Sequence, residues 1–135
     1  MMARVRNKDS RAELELRRAL HARGIRFRLH AADVLGRPDI VIRKYRFAIF
    51  VDGDFWHGNA WRLRGLPNLE AQFPNRTEWW TTKIRRTMAR DREVSEALAS
   101  DGWRVVRLWE NEILADPAAA ANTVVDALRM ARKSN

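Results

Sequence analysis

Three ionisable side chains stand close together in the segment GRPDIVIRKYRFAIFVDGDFWHG. Asp39 comes directly before an apolar run, Asp52 directly after a second one, and His57 follows across a glycine turn. The two apolar runs, IVI and FAIFV, predict adjoining strands with an acid at an end of each. Carboxylates on adjoining strands can share Mg²⁺, which prefers oxygen ligands, and a neutral imidazole suits general-base work near neutral pH. Asp39 has an equal structural alternative, because an aspartate at a strand end often hydrogen-bonds the backbone of its own turn.

The composition of the chain indicates a polyanionic partner. Its 135 residues carry 26 Lys and Arg against 17 Asp and Glu, a net charge of +9. We expect a single domain, residues 1–135, whose basic arm at 1–9 becomes ordered only on a partner. The sequence has no cysteine, which excludes disulfides and thiolate zinc ligands, and it shows neither a membrane-span pattern nor a signal-peptide core. The expected address is the cytoplasm, in association with the nucleoid, with no membrane partner.

The flanking segments predict the elements that hold these residues. Ser10 and Glu13 form the capping-box pattern S-x-x-E at the start of a helix that ends at Gly24. Apolar and polar residues alternate from Ile25 to Leu29, which is typical of a strand with one buried face. The later elements are a long functional loop at 59–75, a helix from about 77 to 100, a strand at 103–109, and a helix capped by Asp116 and running from Pro117 to about 132. The order αβββαβα predicts an α/β fold with a mixed central sheet flanked by helices.

Asp91 is the exception on the core-facing stripe of the long helix. Apolar residues share that stripe at spacings of three and four. A carboxylate on such a face costs several kcal/mol, roughly, unless it is paired or hydrogen-bonded. His57 is one expected partner, and an ion pair with Arg90 or Arg92 is an equal alternative.

Five motifs occur in the chain: GRPD at 36–39, FVDGDFWHG at 50–58, RTEWW at 76–80, RDRE at 90–93 and GWRVVRLWE at 102–110. In order and spacing they resemble the very-short-patch mismatch-repair endonucleases, the Vsr family, from about Met2 to Glu110. The resemblance implies a restriction-endonuclease-like fold of the PD-(D/E)xK type, a three-layer sandwich. It also implies Mg²⁺-dependent nicking of double-stranded DNA at a mispaired, T:G-like base, and we expect Mn²⁺ to substitute for Mg²⁺.

The resemblance implies roles for the catalytic residues one by one. Asp39 matches the essential metal-binding aspartate of the family, and the backbone carbonyl of Val51 matches its second protein ligand. His57 matches the proposed general base, and Asp91 matches the acid that orients it.

Two further acids have less settled roles. Glu13 matches a family glutamate that holds metal-bound water, and capping of the first helix is an equal explanation for it. Asp52 stands where the best-known members carry a histidine. It is expected either to hold metal-bound water or to bind the metal directly.

The resemblance also places aromatic residues on DNA. Phe55, Trp56 and Trp80 match a wedge that enters the base stack, and Met2 matches an arm that reaches the other groove. A tryptophan on a helical stripe is more often part of a core, which is the alternative for Trp80. Arginines are expected to add salt-dependent phosphate contacts. The predicted DNA-binding residues are Met2, Arg4, Arg6, Phe55, Trp56, Trp80, Arg85 and Arg86.

The zinc site of well-known Vsr members is missing from this sequence. Those members hold a structural zinc by cysteine and histidine, whereas Asp54, Asn59, Trp61 and Asn111 stand at the corresponding positions here. No structural zinc is therefore expected, and packing around Trp61 is expected to fix the loop in its place.

Two alternatives to mismatch repair use the same residues. One is a sequence-specific restriction or phage-defence nuclease on the same fold. The other is a DNA-binding protein that does not cut, against which the set of Asp39, His57 and Asp91 argues. A monomer is expected, with other repair proteins as further partners.

Overall fold

A four-stranded mixed sheet forms the centre of the protein, for which a computed structural model describes residues 9–133. The strands are β1 (Arg28–Leu29), β2 (Ile40–Ile42), β3 (Phe47–Asp52) and β4 (Arg104–Trp109). They lie in the order β1-β2-β3-β4, with antiparallel pairing up to β3 and parallel pairing of β3 with β4. The helices are α1 (Arg11–His21), α2 (Ala60–Leu63), α3 (Thr77–Ser100), α4 (Glu110–Ala115) and α5 (Pro117–Lys133).

The alternation of side chains along the strands divides the core between the two faces of the sheet. Ile40 and Ile49 point to one face, where they pack with buried residues of α1 and α5 such as Leu16 and Val124. The other face is covered by α3, and its cluster comprises Ala31, Val34, Val41, Ala48, Phe50 and Leu98. Because strand side chains alternate with a period of two, β2, β3 and β4 each contribute to both clusters. The predicted α/β class with a mixed sheet between helices is confirmed.

The predicted caps of the first and last helices are also confirmed. Ser10 Oγ accepts a hydrogen bond from the Glu13 backbone N–H at 3.2 Å. Asp116 Oδ1 accepts one from the Ala119 N–H at 3.1 Å, and Pro117 begins α5. Each cap satisfies a backbone donor that has no partner within the helix.

The structure corrects three element predictions. The first strand is only Arg28–Leu29, because β2 is short and offers two paired positions, and Leu29 is 41% exposed rather than buried. The segment 59–75 is not wholly a loop, since it contains α2 and a 3₁₀ turn at Glu70–Gln72. The helix α4 was not predicted, because six residues with one fully buried side chain, Ile113, show no clear period.

Two glycines bring the loops that carry Asp39 and His57 against α3. Gly36 and Gly58 both have left-handed backbone angles, φ +77° and φ +83°. A Cβ atom at Gly36 would collide with Val94, and one at Gly58 would collide with Met88. Only glycine fits both the backbone angle and the close approach at these two positions.

No helix within residues 9–133 combines the length and apolar character needed to cross a bilayer. The predicted arm residues Met2, Arg4 and Arg6 lie outside the described residues.

Candidate active site

His57 and Asp91 form a close pair between the loop after β3 and the middle of α3. The Nδ1 atom of His57 lies 2.5 Å from Asp91 Oδ2. Because a carboxylate accepts hydrogen bonds, the proton belongs on Nδ1, and Nε2 carries the lone pair when the ring is neutral. Within the described residues, Asp91 pairs with His57 and Arg107 rather than with Arg90 or Arg92. His57, 24% exposed, is thus the half-buried partner that pairs with the carboxylate on the apolar stripe of α3.

Asp52 lies beside this pair at the end of β3. It is buried, and its Oδ1 atom is 3.7 Å from His57 Nδ1 and 2.9 Å from Arg107 Nη1. Ligand atoms of Asp52, His57 and Asp91 all lie within 4.8 Å of one another. This group could hold a cation, or it could act as one hydrogen-bonded unit around the imidazole.

Arg107 is a residue of this site that the sequence reasoning missed. It lies on β4 in register with Phe50, and its guanidinium is 4.1 Å from the centre of that ring. The alternation in WRVVRLW carried a usable signal, because it places Arg107 with Trp103 and Val105 on the face that α3 covers. A charge on that face requires a partner for the same reason that Asp91 does.

Asp39 precedes β2 and is bonded to the neighbouring strand rather than to its own turn. Its Oδ2 atom accepts a hydrogen bond from the Val51 backbone N–H at 2.7 Å. Burial raises the pKa of Asp39 to about 6, against the lowering effect of that bond, and the charges of Glu13 and Asp52 add to the rise. A carboxylate crowded by other acids is a position that a bound cation would relieve. The predicted ligands Asp39 and Val51 are therefore adjacent.

Glu13 is the acid that α1 contributes. It is 4% exposed, and its Oε1 atom lies 3.0 Å from both His30 Nε2 and Arg17 Nη2. The backbone N–H of Asp9 also donates to it, so a capping function is present in the structure. Asp9, Glu13 and His30 form a second group that could hold a cation. The backbone N–H of His30 donates to the Asp39 carbonyl at 3.1 Å, which joins this group to Asp39.

The electrostatics of the site raise the pKa of both Asp52 and His57. Burial raises the pKa of Asp52, although the charges of His57 and Arg107 oppose it. Burial by itself lowers the pKa of His57, but the hydrogen bond to Asp91 and the charges of Asp52 and Asp91 outweigh it, so the pKa is raised. His57 is therefore a strong proton acceptor that is neutral only above a pH higher than usual for histidine.

We expect His57 in metal-free protein to titrate above the ordinary histidine value of about 6.5. Asp91→Asn should lower that pKa, because the neutral amide removes the charge that favours the imidazolium. NMR of the three histidine rings, recorded with a chelator and assigned by His→Gln variants, measures both values. A His57 pKa below 6.5, or one that Asp91→Asn leaves in place, would contradict the expectation.

The predicted wedge residues belong to an aromatic group beside this site. Trp56 lies edge-on to Phe55 with ring centres 4.9 Å apart, and Trp80 stacks on Phe73 at 5.1 Å. Trp56 and Trp80 are half-buried against a small core of Leu69, Phe73 and Ile84. The exposed members are Phe55, at 37%, and Trp79, at 48%. Phe55 is among the predicted DNA-binding residues, whereas Trp79 is not.

Positively charged side chains lie close to two rings of the aromatic group, Trp56 and Trp79. Lys83 lies 5.8 Å from the Trp56 ring and 5.5 Å from the Trp79 ring, and Arg76 lies 4.6 Å from the Trp79 ring. Of the two predicted phosphate-binding arginines, Arg85 is paired with Glu70 at 2.6 Å. Arg86 is exposed and has no ion-pair partner among residues 9–133. At helical spacing, Arg86 shares a face of α3 with Trp79 and Lys83.

Hydrogen bonds join three of the positions where well-known Vsr members hold zinc. One Asp54 oxygen accepts from Asn59 Nδ2 at 3.0 Å, and the other accepts from the Asn111 N–H at 3.1 Å. Trp61 is half-buried and packs against the small core of Leu69, Phe73 and Ile84. The carboxylate of Asp54 thus ties the loop after β3 to the start of α4, in addition to the packing of Trp61.

A histidine oriented by one carboxylate, with further acids around it, can act as a general base. The family described as DNA mismatch endonuclease Vsr matches residues 1–63. A type II nicking enzyme of Neisseria meningitidis serogroup C is 37% identical over 124 residues, which cover 92% of this chain and 80% of the relative. A type II nicking enzyme of Xanthomonas oryzae pv. oryzae is 42% identical over 84% of this chain and 79% of the relative. The DNA mismatch endonuclease Vsr of Escherichia coli (strain K12) is 37% identical over 81% of this chain and 66% of the relative. The chain belongs to the Vsr family.

Proposed function

We propose that this endonuclease of the Vsr family nicks one strand of double-stranded DNA at a mismatched, T:G-like base pair. The observation that carries the proposal is the His57–Asp91 pair next to Asp52, whose charge also acts on Asp39, in a chain with a net charge of +9. Helices on both faces of a mixed sheet support the PD-(D/E)xK type of restriction-endonuclease fold. We further propose that residues 1–135 act as one monomeric domain in the cytoplasm, at the nucleoid.

The side chains of the site divide the work of phosphodiester hydrolysis. His57 Nε2 takes a proton from the attacking water, while Asp91 holds the ring through Nδ1 and stabilises the imidazolium that forms. Asp39, the Val51 carbonyl and Asp52 offer the oxygen donors that suit Mg²⁺, with Mn²⁺ as a substitute and Glu13 as a holder of metal-bound water. When bound, such a cation supplies positive charge that stabilises the phosphate oxygens of the transition state. No structural zinc is needed, because Asp54 already ties the loop by hydrogen bonds.

The aromatic group supplies the mismatch preference in this proposal. A mismatched step is already poorly stacked, so a side chain opens it at a lower cost than a paired step. Trp56 and Phe55 border the site in sequence, since His57 follows them directly. Stacking of an aromatic ring on the opened step would therefore bring the scissile phosphate near His57.

The proposal is tested by incubating the protein with Mg²⁺ and duplexes that differ only in one T:G mismatch. Denaturing gels should show one nicked strand in the mismatched duplex and much slower cleavage of the matched one. Cleavage of both strands at a matched recognition sequence would instead establish a restriction enzyme. Binding without cleavage in Mg²⁺ and in Mn²⁺ would establish a DNA-binding protein.

Trp56 and Arg86 should contribute differently to DNA recognition. Trp56→Ala should lower the ratio of mismatched to matched cleavage about 5- to 150-fold, because stacking on an aromatic ring is worth about 1–3 kcal/mol. Arg86→Ala should weaken binding of both duplexes alike and reduce the salt dependence of binding, as loss of a phosphate contact does.

The fluorescence of 2-aminopurine beside the mismatch measures the unstacking directly. Trp79→Ala is the matched control for Trp56→Ala, because Trp79 is exposed and belongs to the same group. An unchanged cleavage ratio and equal fluorescence with Trp56→Ala would assign Trp56 to the core.

A further inference from the structure

Arg107 joins β4 to the two segments that carry Asp52 and Asp91. From β4, its Nη1 atom donates to Asp52 Oδ1 at 2.9 Å. Its Nε atom donates to Ser95 Oγ at 2.7 Å, and its Nη2 atom donates to the Asp91 carbonyl at 3.1 Å. One guanidinium thus binds the end of β3 and one turn of α3 at the same time.

The same guanidinium lies between the carboxylates on either side of His57. Arg107 Nη1 is 2.9 Å from Asp52 Oδ1 and 3.7 Å from Asp91 Oδ1. His57 Nδ1 is 2.5 Å from Asp91 Oδ2 and 3.7 Å from Asp52 Oδ1. Two acids so close together repel each other when both are ionised, and a cation between them holds both in place.

The directions of the Arg107 hydrogen bonds argue against a DNA contact. Its side chain is 22% exposed, its face covers Phe50, and all three of its nitrogen atoms donate to the protein. The guanidinium is planar and rigid, so these bonds fix its position and that of the groups it contacts. An arginine that served only to join β4 to α3 would need Ser95 and the Asp91 carbonyl alone, whereas Arg107 also holds Asp52.

We propose that Arg107 is a positioning residue that holds Asp52 and Asp91 on the two sides of His57 and so fixes the imidazole ring. The proposal rests on the proposed function of His57 as the base, and it gives Asp52 a defined role as the ion-paired link between Arg107 and the histidine. Arg107 acts through Asp52 and does not touch the reacting atoms.

A double-mutant cycle tests this role. Arg107→Met should slow single-turnover nicking about 10- to 100-fold, the range for partners that orient a functional side chain, and should change DNA affinity less than about twofold. In the Asp52→Asn background, the same substitution should slow nicking by less than about threefold, because the group through which Arg107 acts is already neutral. Arg107→Lys should recover part of the rate, since lysine keeps the positive charge but lacks the planar guanidinium with its several N–H donors.

Two kinetic results would overturn the proposal. If the losses from Arg107→Met and Asp52→Asn multiplied, Arg107 would act independently of Asp52. If Arg107→Met weakened DNA binding and reduced its salt dependence, Arg107 would be a phosphate contact. Arg92→Met, an exposed arginine of α3, is the control for general loss of positive charge.

A second measurement needs no DNA and no cleavage. The ¹⁵N and ¹H signals of the His57 ring should shift in Arg107→Met and move back toward wild type in Arg107→Lys, while the His21 signals stay in place. Signals of His57 that are unchanged in folded Arg107→Met protein would overturn the positioning role.

If wild-type protein failed to nick any duplex, the proposed function would fail, and the ring signals would still decide the role of Arg107. If Arg107→Met did not fold, the double variant with Asp52→Asn, which removes both charges, and Arg107→Lys would carry the comparison.

Discussion

Asp39→Asn should abolish nicking and leave DNA binding intact. The substitution keeps the shape of the side chain, but it removes the negative charge of a group that accepts a hydrogen bond from the Val51 N–H and is influenced by the charges of Glu13 and Asp52. We expect the single-turnover rate to fall at least about 10³-fold, which corresponds to about 4 kcal/mol of lost transition-state stabilisation. Quenched single-turnover kinetics with saturating protein measure the rate, and fluorescence anisotropy in chelator measures binding.

Asp33→Asn is the matched control for this experiment. Asp33 is an exposed aspartate that forms an ion pair with Arg43, outside the site. Its replacement should leave nicking unchanged. Nicking at the wild-type rate by Asp39→Asn, or by wild-type protein in excess chelator, would remove Asp39 from the site and leave it as a link between β2 and β3.

His57 and Asp91 should behave as one unit. His57→Ala should slow nicking about 10²- to 10⁴-fold, the usual contribution of a general base. Asp91→Ala should cost about 10- to 100-fold, because it frees the ring and removes the acceptor at Nδ1. The double variant should be no slower than His57→Ala alone, since Asp91 has nothing to orient once the ring is gone.

Single-turnover rates of the two single variants and the double variant decide this point. His21→Ala is the control, because His21 is exposed and stacks on Phe27. A double variant that lost the product of the two single effects would show that His57 and Asp91 work separately.

Local patterns in the sequence identified residues whose interactions can be inferred from their near neighbours in the chain, such as a charged residue on an apolar stripe. Asp91 stood on an apolar stripe, so it required a partner, and His57 provides one. Ser10 and Asp116 begin helices because their side chains cap the first turn, which is a local interaction. The adjoining strands β2 and β3 followed from short apolar runs, although the length of β1 depended on how many residues β2 offers for pairing.

Pairings between distant segments left little trace in the sequence. Arg107 and Asp52 are separated by 55 positions. Because the chain contains many arginines, no local pattern indicated that this one pairs with Asp52. The bond between His30 and Glu13 likewise depends on the turn before Asp39. Asp54 illustrates a different difficulty, because its two hydrogen bonds hold the loop in addition to the packing of Trp61, and the sequence predicted only that packing.

The two glycines that meet α3 limit how this enzyme can be recombined with its relatives. Gly36 rests on Val94 and Gly58 on Met88, positions separated by about 9 Å along one helix. The positions of the loops that carry Asp39 and His57 are therefore both set by contact with the same two turns of α3. A chimera that imports the segment 36–58 from another family member must import the facing turns of the helix as well. Sequence differences between family members in these loops should accordingly occur together with differences in the helix surface that supports them.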